Sequence, residues 1–546
     1  MNKRNIFTVI CAMFVVFSFA VNYEVIYEQY GNDKKEEQRS YLFENKIGGI
    51  KSEGSEAVFI DYNENKIIKI LESDGKFYKK SSEFSSFGEP ELSDEKETIL
   101  GFECRKAVYN LFSNKLEVWY TTETEAKGSP IFTGFPPNSL VLKLIYNGGF
   151  TLQAVEIKEY ESPELNFTGG KAKELADAEY EKKLIDSRFL RLNIFDKEQI
   201  NFGDEIEVRN DEITDLTYRF SKGTVVMKKI NLPEKYKGGN VFIKLTTWSN
   251  GDAYDRTGSV FTVSGRNGKN ILDAFRRGTE ELPVYRDVDD KEYQGISFTG
   301  DYLPPIELMR FFTTFGVGHF NDKVNIAGYA WSDSVIFKQE ITDLIDWEKD
   351  MQIGVFIGNY DKGGHKISLE MDFYPPYPGS EAAKNFVFPL FNTVNVLEMS
   401  GQNYGRLFKK DKLTVDFELP ENIENTQLRF ISTGHGGWGT GDEFVKRINR
   451  IIIDGKEIFK IIPWREDCGT YRLNNPASGN FPSGLSSSDL SRSNWCPGTI
   501  TSPYYIPLEG LTPGKHTLEV DIDQGEDTES GFSFWNVSGV LIGTEK

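Results

Sequence analysis

Short stretches in which apolar and polar residues alternate, separated by Gly, Asn, Asp and Pro, fill most of this chain. Alternation with a period of two marks strands that bury one face. Between residues 21 and 160 it predicts strands at Asn22 to Tyr30, Ala57 to Tyr62, Lys66 to Leu71, Lys106 to Asn110, Leu116 to Thr121, Leu140 to Tyr146 and Thr151 to Tyr160. Residues 171–183 break the pattern, because Ala, Glu and Lys dominate there and read as a short helix or helical linker. Strands resume at Leu192 to Phe195, Gly223 to Asn231, Gly239 to Trp248, Val260 to Val263, Leu308 to Thr314, Ser334 to Gln339, Gln352 to Asn359 and Lys366 to Tyr374. Pro375, Pro376 and Pro378 punctuate the chain. A last group follows, including Lys412 to Glu418, Gln427 to Ser432, Phe444 to Ile453, His516 to Ile522 and Gly531 to Leu541.

The expected organisation is therefore residues 1–20 as a signal, 21–180 as a separate β domain, and 190–378 and 385–546 as two further β domains. Many strands, long connections and no sustained helical period favour two β-sandwiches of jelly-roll type over a barrel or an α/β fold. The 50 glycines and the 39% apolar content agree with a globular β protein.

Charge and composition narrow the partners. A net charge of -20 excludes reliance on phosphate neutralisation, so nucleic acid is not expected as a ligand. Lys3 and Arg4, an apolar run from Ile6 to Val16 and Ser18-Phe19-Ala20 follow the order of an export signal, and that run is too short to span a membrane. The protein is expected in the periplasm, on the cell surface or secreted, without a membrane span and as a monomer. Export makes a disulfide between Cys468 and Cys496 plausible and leaves Cys104 as a buried small apolar residue. The four histidines stand far apart, so no histidine-built metal site is expected. The sequons at Asn166 and Asn536 are matches of pattern only and carry no weight.

Candidate chemistry concentrates late in the chain. The run Gly434-His435-Gly436-Gly437-Trp438-Gly439 permits close backbone approach and leads directly to Asp442 and Glu443. Glu443 is read as heading the strand that follows. The segment from Trp464 to Cys496 adds Arg465, Tyr471, Arg472, Asp489, Arg492 and Trp495. Trp438 and Trp495 are candidate aromatic platforms, although Trp495 beside Cys496 fits packing better. Upstream, Asp252-Ala253-Tyr254-Asp255-Arg256 places acids and an arginine in one short loop after Asn250-Gly251.

Glu443, the run from Arg492 to Gly498 and the loop from Asp252 to Arg256 resemble the PNGase F family, over roughly residues 191 to 540. That resemblance implies two eight-stranded jelly rolls side by side with a site at their interface. It also implies an exported amidase that cleaves between N-acetylglucosamine and asparagine on N-glycosylated proteins or glycopeptides, without cofactor or metal. Asp255 would be the principal acid/base, Glu443 the second acid, and Arg492 the residue orienting Glu443, with Arg256, Tyr254, Trp438 and Asp361 binding substrate. Two departures stand out: Gly358 or Asn359 occupies the position of a third family acid, with either Asp361 or nothing replacing it, and Tyr254 stands for a tryptophan. A catalytically silent glycan-binding or adhesion protein using the same cleft is the alternative. A copper monooxygenase on a similar architecture lacks its histidine clusters. The N-terminal words Ile99 to Ala107, Glu117 to Thr121 and Phe132 to Pro136 resemble the GLPGLI family of exported proteins, which brings no chemistry. That domain is expected to modulate substrate access.

Overall fold

The computed structural model describes residues 21–546, apart from 32–33, 51–55, 74, 85–87, 204–212, 265–267, 378–383, 437–440, 480–485 and 528–530. The expected export signal, residues 1–20, lies outside the described residues. The chain divides into two compact units, the first ending at Arg188 and the second running from Phe189 to Lys546.

The first unit is one twelve-stranded sheet. Strands from Asn22–Gly31 to Lys76–Glu83 pair in chain order, strands from Glu91–Ile99 to Phe150–Tyr160 do the same, and Asn22–Gly31 joins the halves by pairing with Phe150–Tyr160. Alternation supplies its core: Val25, Tyr27, Leu116, Val118, Leu140, Leu142, Leu144 and Leu152 are fully buried. Cys104 is buried and unbridged, as expected. The predicted linker helix begins later, at Asp177–Ser187, and seats Tyr180 and Leu184 against Leu71.

The second unit is all-β and built of two jelly rolls. In the first roll a four-stranded sheet faces a six-stranded one. The strand Val241–Ser249 buries every second residue, as its sequence requires. The strand Ile306–Phe312 instead buries all seven, because one face meets its own roll and the other meets the second. The outermost strand of the six, Ile500–Thr501, comes from the far end of the chain and pairs with Arg310 and Phe311. A short helix, Ile271–Arg277, closes this roll with a capping box between Asn270 and Asp273. The second roll stacks two four-stranded sheets, with Leu413–Leu419 alternating cleanly and Leu428, Phe430, Ile451, Leu518 and Trp535 in its core.

The rolls share core. Val387, Val540 and Ile542 of the second pack into the cluster built by Val260, Leu308, Met309 and Val355 of the first. A buried polar network crosses the same contact. Arg310 pairs with Glu307 at 2.6 Å and also donates to Thr433, while Arg429 donates to the carbonyls of Glu307 and Leu308 at 2.8 and 2.9 Å. Each of these charges has partners, which is what makes complete burial tolerable.

Candidate active site

Asp255 sits in the connection between strands Val241–Ser249 and Thr257–Thr262. The connection turns on Asp252, which is almost completely buried. Its carboxylate accepts the backbone N–H of Tyr254 at 3.0 Å and the Arg256 side chain at 2.8 and 3.2 Å, and lies 3.5 Å from His365 Nε2. Burial opposes its charge, but His365 and Arg256 hold its carboxyl well below the usual carboxylate range. Thr313, on the neighbouring strand's extension, bonds the backbone of Arg256 and Tyr254. Asp255 is thereby fixed at the backbone while its own side chain is left to the cleft. Gly251 has φ +140 and lies where a Cβ would meet the Asp361 carboxylate at 3.0 Å, so a glycine is needed there.

Glu443 follows the long strand Ile423–His435 of the second roll. The expectation that it heads a strand is corrected: residues 441–445 turn, and the strand begins at Asn449. Asp442 explains the turn. Fully buried, it accepts from Arg447 at 2.7 Å, from the Gly525 N–H at 3.0 Å on both oxygens, and from Trp535 Nε1 at 2.7 Å. Its side chain is spent on the scaffold, and the next residue, Glu443, faces the other way. Gly436, at φ +104, passes so close to the Phe532 carbonyl that a Cβ would fall 2.0 Å from it. Trp438 lies outside the described residues.

Arg492 joins the two acids. Its Nη1 contacts the Glu443 carboxylate and lies 3.2 Å from Asp255 Oδ2, while Nη2 donates to the Ser487 carbonyl at 2.7 Å. The guanidinium stacks 4.4 Å over Trp495, which itself stacks on Phe312 at 4.3 Å. Trp495 is therefore packing beneath the site and not an exposed platform. The Cys468–Cys496 disulfide, with Cα atoms 5.1 Å apart, closes this loop as expected. Side-chain exposures of 14% for Asp255 and 19% for Glu443 against 2% for Arg492 leave the carboxylates more open to solvent than the cation they share.

Two carboxylates around one cation are neutralised only once. Burial pushes Glu443 up to about 7, opposed by Arg492 and reinforced by the neighbouring Asp255. Burial also raises Asp255, again opposed by Arg492. The pair is thus arranged to hold a proton near neutral pH and to titrate as a unit. Below Arg492, His435 accepts or donates to Thr433 at 2.9 Å and is pushed down to about 3 by burial and by Arg310 and Arg492. It stays neutral and adds no competing charge.

The other sequence candidates divide. Arg256 and Tyr254 lie beside Asp255, the guanidinium 5.2 Å from the ring. Asp361 does not join the acids; its Oδ1 accepts the N–H groups of Gly363 and Gly364 at 2.7 and 2.9 Å and shapes a turn. Sequence reading assigned no role to Thr313, Ser487, Glu398 or Tyr360. Thr313 stood in the predicted strand Leu308 to Thr314 and Ser487 in the segment from Trp464 to Cys496, but nothing in the neighbours of any of the four marked it.

Fold and site together define a paired jelly-roll protein whose cleft sets two carboxylates on one buried guanidinium. The chain belongs to the peptide-N-glycosidase F family. Residues 191–373 match the model described as Peptide-N-glycosidase F, N terminal, and residues 403–542 the one described as Peptide-N-glycosidase F, C terminal. Residues 37–178 match the one described as N-glycanase peptide, N-terminal domain. The GLPGLI resemblance finds no counterpart among these matches. Among solved structures, two crystal forms of PNGF-II are 42% identical to this chain and cover 96% of it, with TM-scores of 0.85 and 0.78; the alignments take in 100% and 99% of those chains. A comparison with curated proteins finds no match.

Proposed function

We propose that this protein is an exported amidase that hydrolyses the bond between N-acetylglucosamine and the asparagine side chain of N-glycosylated proteins or glycopeptides. The observation that carries this reading is the placement of Asp255 and Glu443, one from each roll, on the single guanidinium of Arg492. Membership of the peptide-N-glycosidase F family supports it.

Amide hydrolysis needs an activated water, a polarised carbonyl and a proton for the leaving nitrogen. In the proposed reaction Asp255 draws a proton from water as the water oxygen bonds to the amide carbon. Glu443, protonated near neutral pH, hydrogen-bonds the carbonyl oxygen as charge gathers on it. Asp255 then returns its proton to the nitrogen as the carbon–nitrogen bond breaks. The products are an aspartate on the peptide and a glycosylamine, which loses ammonia to water. Arg492 keeps both acids in register. Export belongs to the same proposal, and the disulfide suits an oxidising compartment. No helix among the described residues is long and apolar enough to cross a membrane.

The test is a glycopeptide incubated with the purified protein in water enriched in heavy oxygen. An amidase releases the whole glycan and leaves labelled aspartate. A peptide retaining one sugar on asparagine would mean an endoglycosidase, and an unchanged glycopeptide that still binds would mean a glycan-binding protein; either overturns the reading.

A further inference from the structure

The two acids on Arg492 account for chemistry at an amide but not for how the adjoining wall would hold a sugar. That wall is built around Arg256, whose guanidinium lies 5.2 Å from the ring of Tyr254 and 5.8 Å from that of Tyr360. Both rings are unusually open for tyrosines, at 61% and 55% exposure. Amphipathic rings left open beside paired acids offer an apolar face and a polar edge, which is what the face of a sugar ring requires.

The Tyr360 ring is held by its hydroxyl, which donates to Glu398 Oε1. The hydroxyl of Tyr404 donates to the same oxygen, and the Tyr404 ring is fixed by Phe532 and Phe534 at 5.3 and 4.7 Å. One oxygen of Glu398 is thus saturated by two phenols. The other, Oε2, has no hydrogen bond among the described residues and faces Gly358, where a Cβ would come within 3.0 Å of it. Gly358 donates its N–H to the carbonyl of Thr257, the residue after Arg256, so the free oxygen belongs to the same wall. A carboxylate with one oxygen locked and the other kept clear by a missing side chain is a preorganised acceptor.

We propose that Glu398 is a specificity-determining residue of this cleft, its Oε2 accepting a hydrogen bond from a hydroxyl or acetamido N–H of the N-acetylhexosamine that packs on Tyr360. The proposal rests on the amidase reading and adds a substrate contact to it. Glu398 binds sugar and takes no part in breaking the amide.

The experiment measures kcat and KM on one glycopeptide, and binding of N,N′-diacetylchitobiose by calorimetry, for the parent, Glu398→Ala, Glu398→Gln and Gly358→Ala. Loss of a charged acceptor raises KM and weakens chitobiose binding roughly 10- to 100-fold in Glu398→Ala, with kcat within about threefold. Glu398→Gln, which keeps an acceptor oxygen, falls between. Gly358→Ala crowds Oε2 without removing its charge and raises KM less than Glu398→Ala does. Glu398→Ala with KM and chitobiose binding within about twofold of the parent overturns the proposal and leaves the amidase reading standing. An equal fall in kcat without a change in KM also overturns it, because Glu398 would then act in the chemistry. If the parent turns over no glycopeptide, the amidase reading fails, and chitobiose binding alone decides: equal binding by parent and Glu398→Ala, or none by the parent, overturns the proposal.

Discussion

The loop at residues 252–256 and the loop at residues 442–447 lie in different rolls and share no sequence, yet each couples a spent acid to a free one. Asp252 and Asp442 are buried and satisfied, the first by Arg256 and the Tyr254 N–H, the second by Arg447, Gly525 and Trp535. Asp255, three residues on, and Glu443, the very next residue, have Arg492 as their shared charged contact and fewer partners than the buried aspartates among the described residues. In each loop the saturated aspartate fixes the backbone, and that rigidity lets its neighbour carry a raised pKa without collapsing onto a partner. Partner count, and not residue type, separates the scaffold acids from the two proposed to do the chemistry.

The sharpest way to break this comparison is to remove the working acid of the first loop. Asp255→Asn is expected to cut kcat roughly 10²- to 10⁴-fold while the protein stays folded. Initial rates on a glycopeptide and a thermal melt check this together, and near-normal turnover would end the assignment. The spent acid should behave in the opposite sense. Asp442→Asn leaves Arg447 underpaired and is expected to cost about 3 to 5 kcal/mol in urea unfolding, while the folded fraction keeps measurable turnover. Full stability with lost turnover would invert the two roles.

Glu443→Gln is expected to lower kcat roughly 10²-fold and to change the response to pH. Because the folded-state pKa of Glu443 is raised to about 7, its protonated form prevails below that pH and is lost above it. Parent turnover should therefore fall as pH rises through about 7, and the Gln variant should lack that limb. The same shift bears on stability. A raised pKa stabilises the folded state fully below the unfolded value and is lost as pH rises towards about 7. The parent should lose stability relative to the Gln variant across that window. Parallel stability curves would remove the buried-acid account. The smallest effect is expected at Cys104→Ser, a buried thiol pushed up to about 11 by burial, whose replacement should leave turnover unchanged and stability within about 1 kcal/mol.

The all-β class and many strands were legible because burying one face writes alternation into the chain, as in Leu140–Tyr146 and Leu413–Leu419. The strands Lys76–Glu83 and Glu91–Ile99 escaped because neither buries a regular face, so lysine, serine and glutamate fill both. The helix Ile271–Arg277 was signalled only by Asn270 and Asp273 three positions apart, too little to outweigh its length. Within the site, Asp255, Glu443 and Arg492 were named through the family resemblance of their local words, and the structure brings the three together. Glu443 was chosen over Asp442 on the resemblance alone, because the contacts that turn Asp442 inward come from Trp535 and Gly525, remote in sequence. Glu398 stands in a three-residue turn, and only the folded chain brings it to Tyr360.

The strand Ile500–Thr501, laid along Arg310 and Phe311, also sets a timetable. A chain that emerges from its N-terminus first presents the edge of Ile306–Phe312 long before its partner exists. That edge stays open until nearly the whole second roll has been made, and the loop bearing Arg492 arrives with the strand that covers it. Closure over such a separation is slow and leaves an unpaired edge exposed meanwhile. The cleft is thus among the last features to form, and an unfinished chain holds Asp255 without the cation and the second acid that complete the site.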